Sequence, residues 1–119
     1  MNQFLTEKDR EDLLANGKRQ DGEQDFAPVV KLFLTGSAAT WLLSELDPED
    51  PDIAFGLFDL GHGFPELGSV RLSELAAARN KIGLGVEKDR HFEAEGSVGA
   101  YARLAAELGY IVDRLDKDR

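Results

Sequence analysis

The fold is decided by one central stretch, residues 40–60, which reads TWLLSELDPEDPDIAFGLFDL. Its two apolar runs, 40–46 and 53–60, are rich in aromatic and branched residues and have the length of β-strands. The linker between them, 47–52, holds two prolines and is too short for a helical crossover. The stretch therefore predicts two neighbouring antiparallel strands.

A third strand is expected immediately before this pair, over residues 28–34, which read PVVKLFL. Pro28 suits the start of a strand because it lacks a backbone donor. The short linker 35–37 again favours an antiparallel connection. A helix over 38–46 is the alternative for the second run, but turn residues bracket that run so closely that we prefer a strand.

The strand over 53–60 has two different faces. Side chains alternate along a strand, so one face is large and the other is mostly small. Small residues at 54 and 56 predict that another element, a helix, packs closely there. The two faces are Ile53, Phe55 and Leu57 on one side, and Ala54, Gly56 and Phe58 on the other.

Three helices are expected, over residues 6–16, 73–79 and 97–108. Each begins at a hydroxyl residue whose oxygen can accept from a free backbone N–H. The first and the last can end on a glycine in the left-handed conformation, Gly17 and Gly109. The capping residues are Thr6, Ser73 and Ser97.

The remaining segments predict less. Short strands are expected over 69–72, 90–92 and 110–112; for the last of these, a helix running to Leu115 is the alternative. The glycine- and proline-rich residues 61–68 indicate a structured loop. Residues 17–25 contain no apolar side chain and also indicate a loop.

Together these elements predict an α+β fold: an antiparallel β-meander of three to five strands with two or three helices packed on one face. We expect one domain over 1–119, with an ordered core of about 5–112 and a frayed C-terminal tail from 113.

Composition excludes several classes of function. The chain has 119 residues, a size typical of one domain. Its 14 basic and 23 acidic residues give a net charge of −9, which argues against direct binding to nucleic acid or an anionic membrane. There is no cysteine for disulfides or thiolate chemistry. No signal-peptide pattern opens the chain, and we expect a cytoplasmic protein.

The densest charged feature is the linker between the two central strands. Five acids and no base lie within eight residues: Glu45, Asp47, Glu49, Asp50 and Asp52. They are our candidate interaction residues, for docking on a basic protein surface. A hard cation is a weaker interpretation, because the calcium-loop pattern is absent, and a solvated turn is the plain structural alternative.

A second cluster surrounds two glycines. Asp59, His62 and Glu66 have the residue types of a general base or a metal-assisted hydrolase. His91 is the only other histidine, and the idea gains weight only if the two histidines meet in space. A structured loop without chemistry is the more common meaning of such a pattern.

Nucleotide binding is not expected. The glycine pairs at 61–63 and 83–85 complete neither the dinucleotide nor the P-loop fingerprint. We therefore predict no cofactor. We also predict no bound metal, because the calcium-loop pattern is absent.

Residues 39–61 and 65–68 resemble a bacterial family, domain of unknown function 2958, and the flanking runs fit it over about residues 5–112. The resemblance implies no catalytic residues. It implies a small accessory protein of the kind borne on plasmids and conjugative elements, a setting of DNA transfer, replication and host defence.

We therefore expect a non-enzymatic interaction module that docks on a basic nucleic-acid-handling protein, as a partial DNA mimic in counter-defence or as an accessory of a transfer complex. The alternative is a small metal-assisted hydrolase using Asp59, His62 and Glu66, with help from Glu45 or His91. A third possibility is a module that adds an edge strand to another chain.

Overall fold

The computed structural model describes residues 4–19, 25–80 and 82–115. Within them lie three helices and five strands. In chain order these are α1 (Glu7–Lys18), β1 (Val30–Leu34), β2 (Thr40–Asp47), β3 (Asp50–Asp59), β4 (Glu66–Arg71), α2 (Leu72–Ala77), β5 (Val86–Lys88) and α3 (Val98–Leu108).

The strands form one antiparallel sheet in the order β4-β3-β2-β1-β5. β1 to β4 form the predicted meander, and β5 returns to the far side of β1. The predicted α+β class is confirmed. The run 40–46 is a strand, as preferred, and pairs with β3 through a two-residue turn, Pro48-Glu49, between the partners Asp47 and Asp50.

The two faces of the sheet carry separate cores. The larger core joins α1 and α2 to one face, which we call the α1 face. The smaller core places Val98, Tyr101 and Ala105 of α3 on Leu42 and Leu57 of the opposite face, which we call the α3 face. Two helices thus share one face, as predicted, while the third covers the other, because Leu42 and Leu57 offer its apolar stripe a matching surface.

Helix α1 begins as predicted and ends differently. Thr6 and Asp9 form a reciprocal capping box. The prediction of a left-handed Gly17 is wrong, because the helix continues to Lys18. Gly17 instead allows close approach to the sheet: a methyl group there would lie 1.8 Å from the carbonyl oxygen of Leu46. Asn16 donates from Nδ2 to the carbonyl oxygen of Ser44 at 2.8 Å beside it.

Two small residues of β3, Ala54 and Gly56, are required by different contacts. Ala54 is fully buried in the core beneath the helices, as predicted. Gly56, however, faces the backbone of β2, where a methyl group would lie 1.9 Å from the carbonyl oxygen of Leu42. A register irregularity between Leu43 and Glu45 follows directly. Gly56 therefore accommodates an irregular strand, not a helix.

Helix α2 is not capped by its own serine. It starts at Leu72, so Ser73 lies inside it, and the Asp52 carboxylate accepts from the Ser73 N–H at 3.0 Å and its hydroxyl at 2.7 Å. Helix α3 agrees with prediction: Ser97 accepts from the Ala100 N–H and Gly109 is left-handed at φ 85°.

The minor strands differ most from the sequence interpretation. β4 begins at Glu66, inside the predicted loop, and β5 spans Val86–Lys88 instead of 90–92. Residues 110–112 form no strand. Of the predicted frayed tail, residues 113–115 are held: Tyr101 donates to the Asp113 carbonyl, and the Leu115 N–H donates to Glu95. The rest of that tail, and residues 20–24 of the predicted loop, lie outside the described residues. Across 4–19, 25–80 and 82–115, no helix has the length and apolar character needed to cross a membrane.

Candidate functional site

Two of the five acids in the predicted interaction loop serve the fold. Arg71 of β4 donates to Asp50 at 3.2 Å and to Asp52 at 3.5 Å. Hydrogen bonds from Ser73, together with the Arg71 cation, hold the pKa of Asp52 below its usual range. These carboxylates tie the β2–β3 hairpin to β4 and α2, so they are engaged within the chain.

Asp47 and Glu49 lie at the tip of the same hairpin and remain exposed. The Asp47 carboxylate accepts from the Glu49 N–H at 2.9 Å, a local turn that fixes the tip. One Asp47 oxygen and the Glu49 carboxylate make no other hydrogen bond within the described part of the chain. Both are available to an incoming cation.

Glu45 is the fifth acid, and its carboxyl group is partly buried without a hydrogen-bond partner in the described residues. Its side chain is half-buried on the α3 face of β2. No described residue forms a hydrogen bond or ion pair with it. Burial raises the pKa of its carboxyl group above the usual range, as expected when a carboxylate loses water without gaining a partner.

A groove of about 290 Å³ holds Glu45 and opens at the hairpin. The sheet register places Glu45, Phe55 and Ser69 side by side in one row across β2, β3 and β4. Helix α3 covers Leu42 and Leu57 and leaves this part of the same face open. We call it the acidic groove; its lining residues are Gly17, Glu45, Asp47, Pro48, Ile53, Phe55 and Ser69.

The second predicted cluster is not assembled into a site. Asp59 is buried and its carboxylate accepts from the Gly61 N–H at 2.8 Å, which shapes the turn after β3. Glu66 pairs with Phe58, so its side chain lies on the α1 face while that of Asp59 lies on the α3 face. His62 is exposed in the loop between them.

The two histidines stand at opposite edges of the sheet. His62 lies between β3 and β4, whereas His91 follows β5. His91 lines a wide groove of about 760 Å³ along β5, where basic and acidic side chains are mixed. Its Lys88 is already paired with Asp9 at 2.6 Å. In the described ranges, no three His, Asp or Glu side chains are grouped to hold a metal ion.

Sequence reasoning missed the partners that complete the groove. Ile53 and Phe55 were assigned to the correct face, but nothing in the sequence showed that α3 stops short of them. Arg71 carried no signal, since it lies 19 residues from Asp52. Gly17 did signal a close approach to the sheet, but it was interpreted as the end of a helix.

The family comparison covers every described element of the fold. The model for "Protein of unknown function (DUF2958)" matches residues 4–112. No curated protein and no solved structure matches the chain. The match extends from the residues before α1 to those after α3 and confirms the resemblance seen in the sequence. The chain belongs to the DUF2958 family.

Proposed function

We propose that this protein is a non-enzymatic interaction module whose acidic groove binds a basic segment of a partner protein. One observation carries the proposal: Glu45 is half-buried, lacks any partner among the described residues and shares a groove with the exposed Asp47. A carboxylate in this position has lost part of its hydration without compensation. A cationic side chain supplies that compensation when the partner docks.

The walls of the groove suit the rest of such a side chain. Ile53 and Phe55 are apolar and half-buried beside Glu45. Lysine and arginine carry an aliphatic stem that packs on apolar surface while the charged head reaches a carboxylate. Arginine also stacks on an aromatic face, which Phe55 offers.

The hairpin that frames the groove is already ordered. Pro48 stiffens the turn, the Asp47–Glu49 hydrogen bond fixes its tip, and Arg71 and Ser73 hold its second strand. A preorganised surface loses little conformational entropy on binding, so more of the charge attraction appears as affinity.

The partner we propose is a basic nucleic-acid-handling protein. The net charge of −9 supports this choice, since it attracts basic surfaces over a long range and repels nucleic acid itself. In the mobile-element setting that the family resemblance implies, such a module acts as an accessory of transfer or as a counter-defence DNA mimic.

The test begins with the immobilised protein and host-cell lysate at low and moderate salt. Retained proteins are identified by mass spectrometry, and the strongest is purified for affinity measurements. We expect a basic partner whose affinity falls about tenfold for Glu45→Gln and further for Glu45→Lys with Glu49→Lys. Asp47 and Asp50 are left unchanged, because replacing them would also break the hydrogen bond at the hairpin tip and the ion pair with Arg71.

A matched control separates local contact from total charge. Glu93 and Glu107 are exposed and lie outside the acidic groove, so converting both to lysine makes the same change in net charge. The proposal requires this control to keep most of the affinity. Equal losses in both double variants, or a partner whose binding ignores salt and Glu45→Gln, would overturn it.

A further inference from the structure

The outer strand β4 presents an unused backbone edge beside the acidic groove. Hydrogen bonding alternates along an antiparallel ladder, and its phase is set by Leu34, whose N–H donates to the Ala39 carbonyl at 3.1 Å. When this alternation is followed through the registers of β2, β3 and β4, the backbone N–H and C=O groups of Glu66, Gly68 and Val70 point toward β3. The backbone groups of residues 67, 69 and 71 consequently point away from the sheet.

Those three residues are also the ones that face the groove. Their side chains lie on the α3 face, the face of Glu45 and Phe55. Leu67 is 47% exposed, and Ser69 lines the groove itself. Within the described residues no backbone hydrogen bond closes this edge of β4. It is therefore a template for another strand.

Few of the usual protections against strand addition are present here. β4 is six residues long, holds no proline and has charged side chains only at its ends, Glu66 and Arg71. The apolar exposure continues beyond the strand, since Phe64 is 79% exposed just before it. An exposed edge of this length and character is the type of surface that recognises an extended segment.

We propose that the partner binds as an extended segment that adds antiparallel to β4 as a sixth strand, with an arginine opposite Ser69 lying across Phe55 toward Glu45. The inference rests on the proposed function and specifies its mode of recognition. The small Ser69 side chain leaves the row from the edge to Glu45 open. An added strand would lie three strand spacings, about 14 Å, from β2, a gap that an extended arginine and the Glu45 side chain together bridge.

The neighbouring positions specify the rest of the segment. Two residues from the arginine, an apolar side chain would cover the exposed Leu67, because alternate residues share a face. On the other side, the residue opposite Arg71 must not be basic, since like charges directly opposite destabilise a pair of strands. The expected pattern is an apolar residue and an arginine separated by one position.

The experiment uses a synthetic seven-residue peptide with threonine at most positions, arginine in the centre and leucine two residues away, on the side that meets Leu67. Hydrogen exchange of the full-length protein is followed by NMR with and without saturating peptide. The amides of Leu67, Ser69 and Arg71 should exchange at least tenfold more slowly when the peptide is bound. Those of Gly68 and Val70, already bonded to β3, should change little.

Backbone methylation of the peptide gives a matched control with unchanged side chains. N-methyl groups on the arginine and leucine face β4 in the antiparallel pairing and should abolish binding. N-methyl groups on the two threonines that flank the arginine face away and should be tolerated. In the protein, Ser69→Pro removes the outward N–H without touching the β3 ladder, and its thermal unfolding reports whether the fold is kept.

The outcomes distinguish this inference from the proposed function. Binding that depends on Glu45 and salt but leaves the 67, 69 and 71 amides unprotected would overturn strand addition and keep the acidic groove. Equal binding of both methylated peptides would do the same. If neither this peptide nor a lysine-containing analogue binds, while a basic partner captured from lysate does bind at the groove, strand addition alone fails. If that partner also ignores Glu45→Gln, both fail.

Discussion

Replacing Gly17 by alanine should destabilise the protein, although alanine is the better helix former. The residue lies in the last turn of α1, with its α-carbon against β2. A methyl group at this position would lie 1.8 Å from the carbonyl oxygen of Leu46 and 3.3 Å from Pro48. The first contact is with backbone that belongs to the sheet, so α1 itself must move.

The magnitude follows from three opposing effects. Helix propensity favours alanine by about 1 kcal/mol. Overpacking of a close contact costs about 1–3 kcal/mol, and moving α1 endangers the 2.8 Å hydrogen bond from Asn16 to Ser44, worth about 1 kcal/mol. The net loss is about 1–3 kcal/mol, which for a domain of this size lowers the melting temperature by about 4–12 °C.

Thermal and urea unfolding followed by circular dichroism measure this loss. Ala15→Gly, an exposed position in the same helix, is the control and should lose only the propensity difference of about 1 kcal/mol. If Gly17→Ala melts at the wild-type temperature or above it, helix α1 does not pack on β2 through this glycine, and the account of the groove wall is wrong.

Three further changes test other parts of the structure. Asp9→Asn removes the 2.6 Å ion pair with Lys88. Burial raises the pKa of Asp9, but hydrogen bonds and charge from Lys88 and Thr6 lower it overall, so the wild type loses stability as the pH falls below 3.8. The free energy of unfolding of the variant, measured with urea, should depend less on pH in this range. Tyr101→Phe should cost about 1–3 kcal/mol in thermal unfolding, because the buried hydroxyl accepts from the Glu95 N–H and donates to a carbonyl. Glu45→Gln should stabilise the protein at neutral pH. The gain shrinks as the pH falls below the raised pKa of Glu45 and vanishes below the usual pKa of 4.5, where the wild-type carboxyl is neutral in both the folded and the unfolded protein. A loss of stability at pH 7 would show that Glu45 has a favourable partner.

The sequence predicted the elements whose causes are local. Strands β1 to β3 followed from apolar runs bracketed by turn residues. The starts of α1 and α3 followed from Thr6 and Ser97, and the end of α3 from Gly109. These signals act over one turn or one strand, so a single sequence displays them. Residues 40–60 alone contained the central hairpin.

The errors came from contacts distant in sequence. Ser73 was predicted as the cap of α2 from its residue type, but the carboxylate that accepts from the start of this helix is Asp52, 21 residues away in β3. The glycine at position 17 is required by the close approach of α1 to the carbonyl oxygen of Leu46, 29 residues away, and not by the end of its own helix. The first three residues of β4, Glu66, Leu67 and Gly68, were hidden at the end of a glycine- and proline-rich run that resembles a loop. An edge strand pairs on one side only, so it does not show a continuous apolar run.

The candidate site was predicted only in outline. The acidic β2–β3 hairpin was found from its composition. Which of its acids are engaged within the chain depended on Arg71, which forms ion pairs with Asp50 and Asp52 and not with the exposed Asp47 and Glu49. The distinct position of Glu45 depended on how far α3 reaches across the sheet. Neither fact is visible in residue order.

The most direct test of the central claim is an NMR titration of the Glu45 carboxyl group, with and without the arginine peptide. In the free protein, burial without a partner raises its pKa. A guanidinium placed beside the carboxylate favours the charged form, so the account predicts that this pKa falls when the peptide binds. A peptide with norleucine in place of arginine should not lower it. A Glu45 pKa that stays unchanged at saturation with the arginine peptide would contradict the proposal that the acidic groove receives a basic side chain.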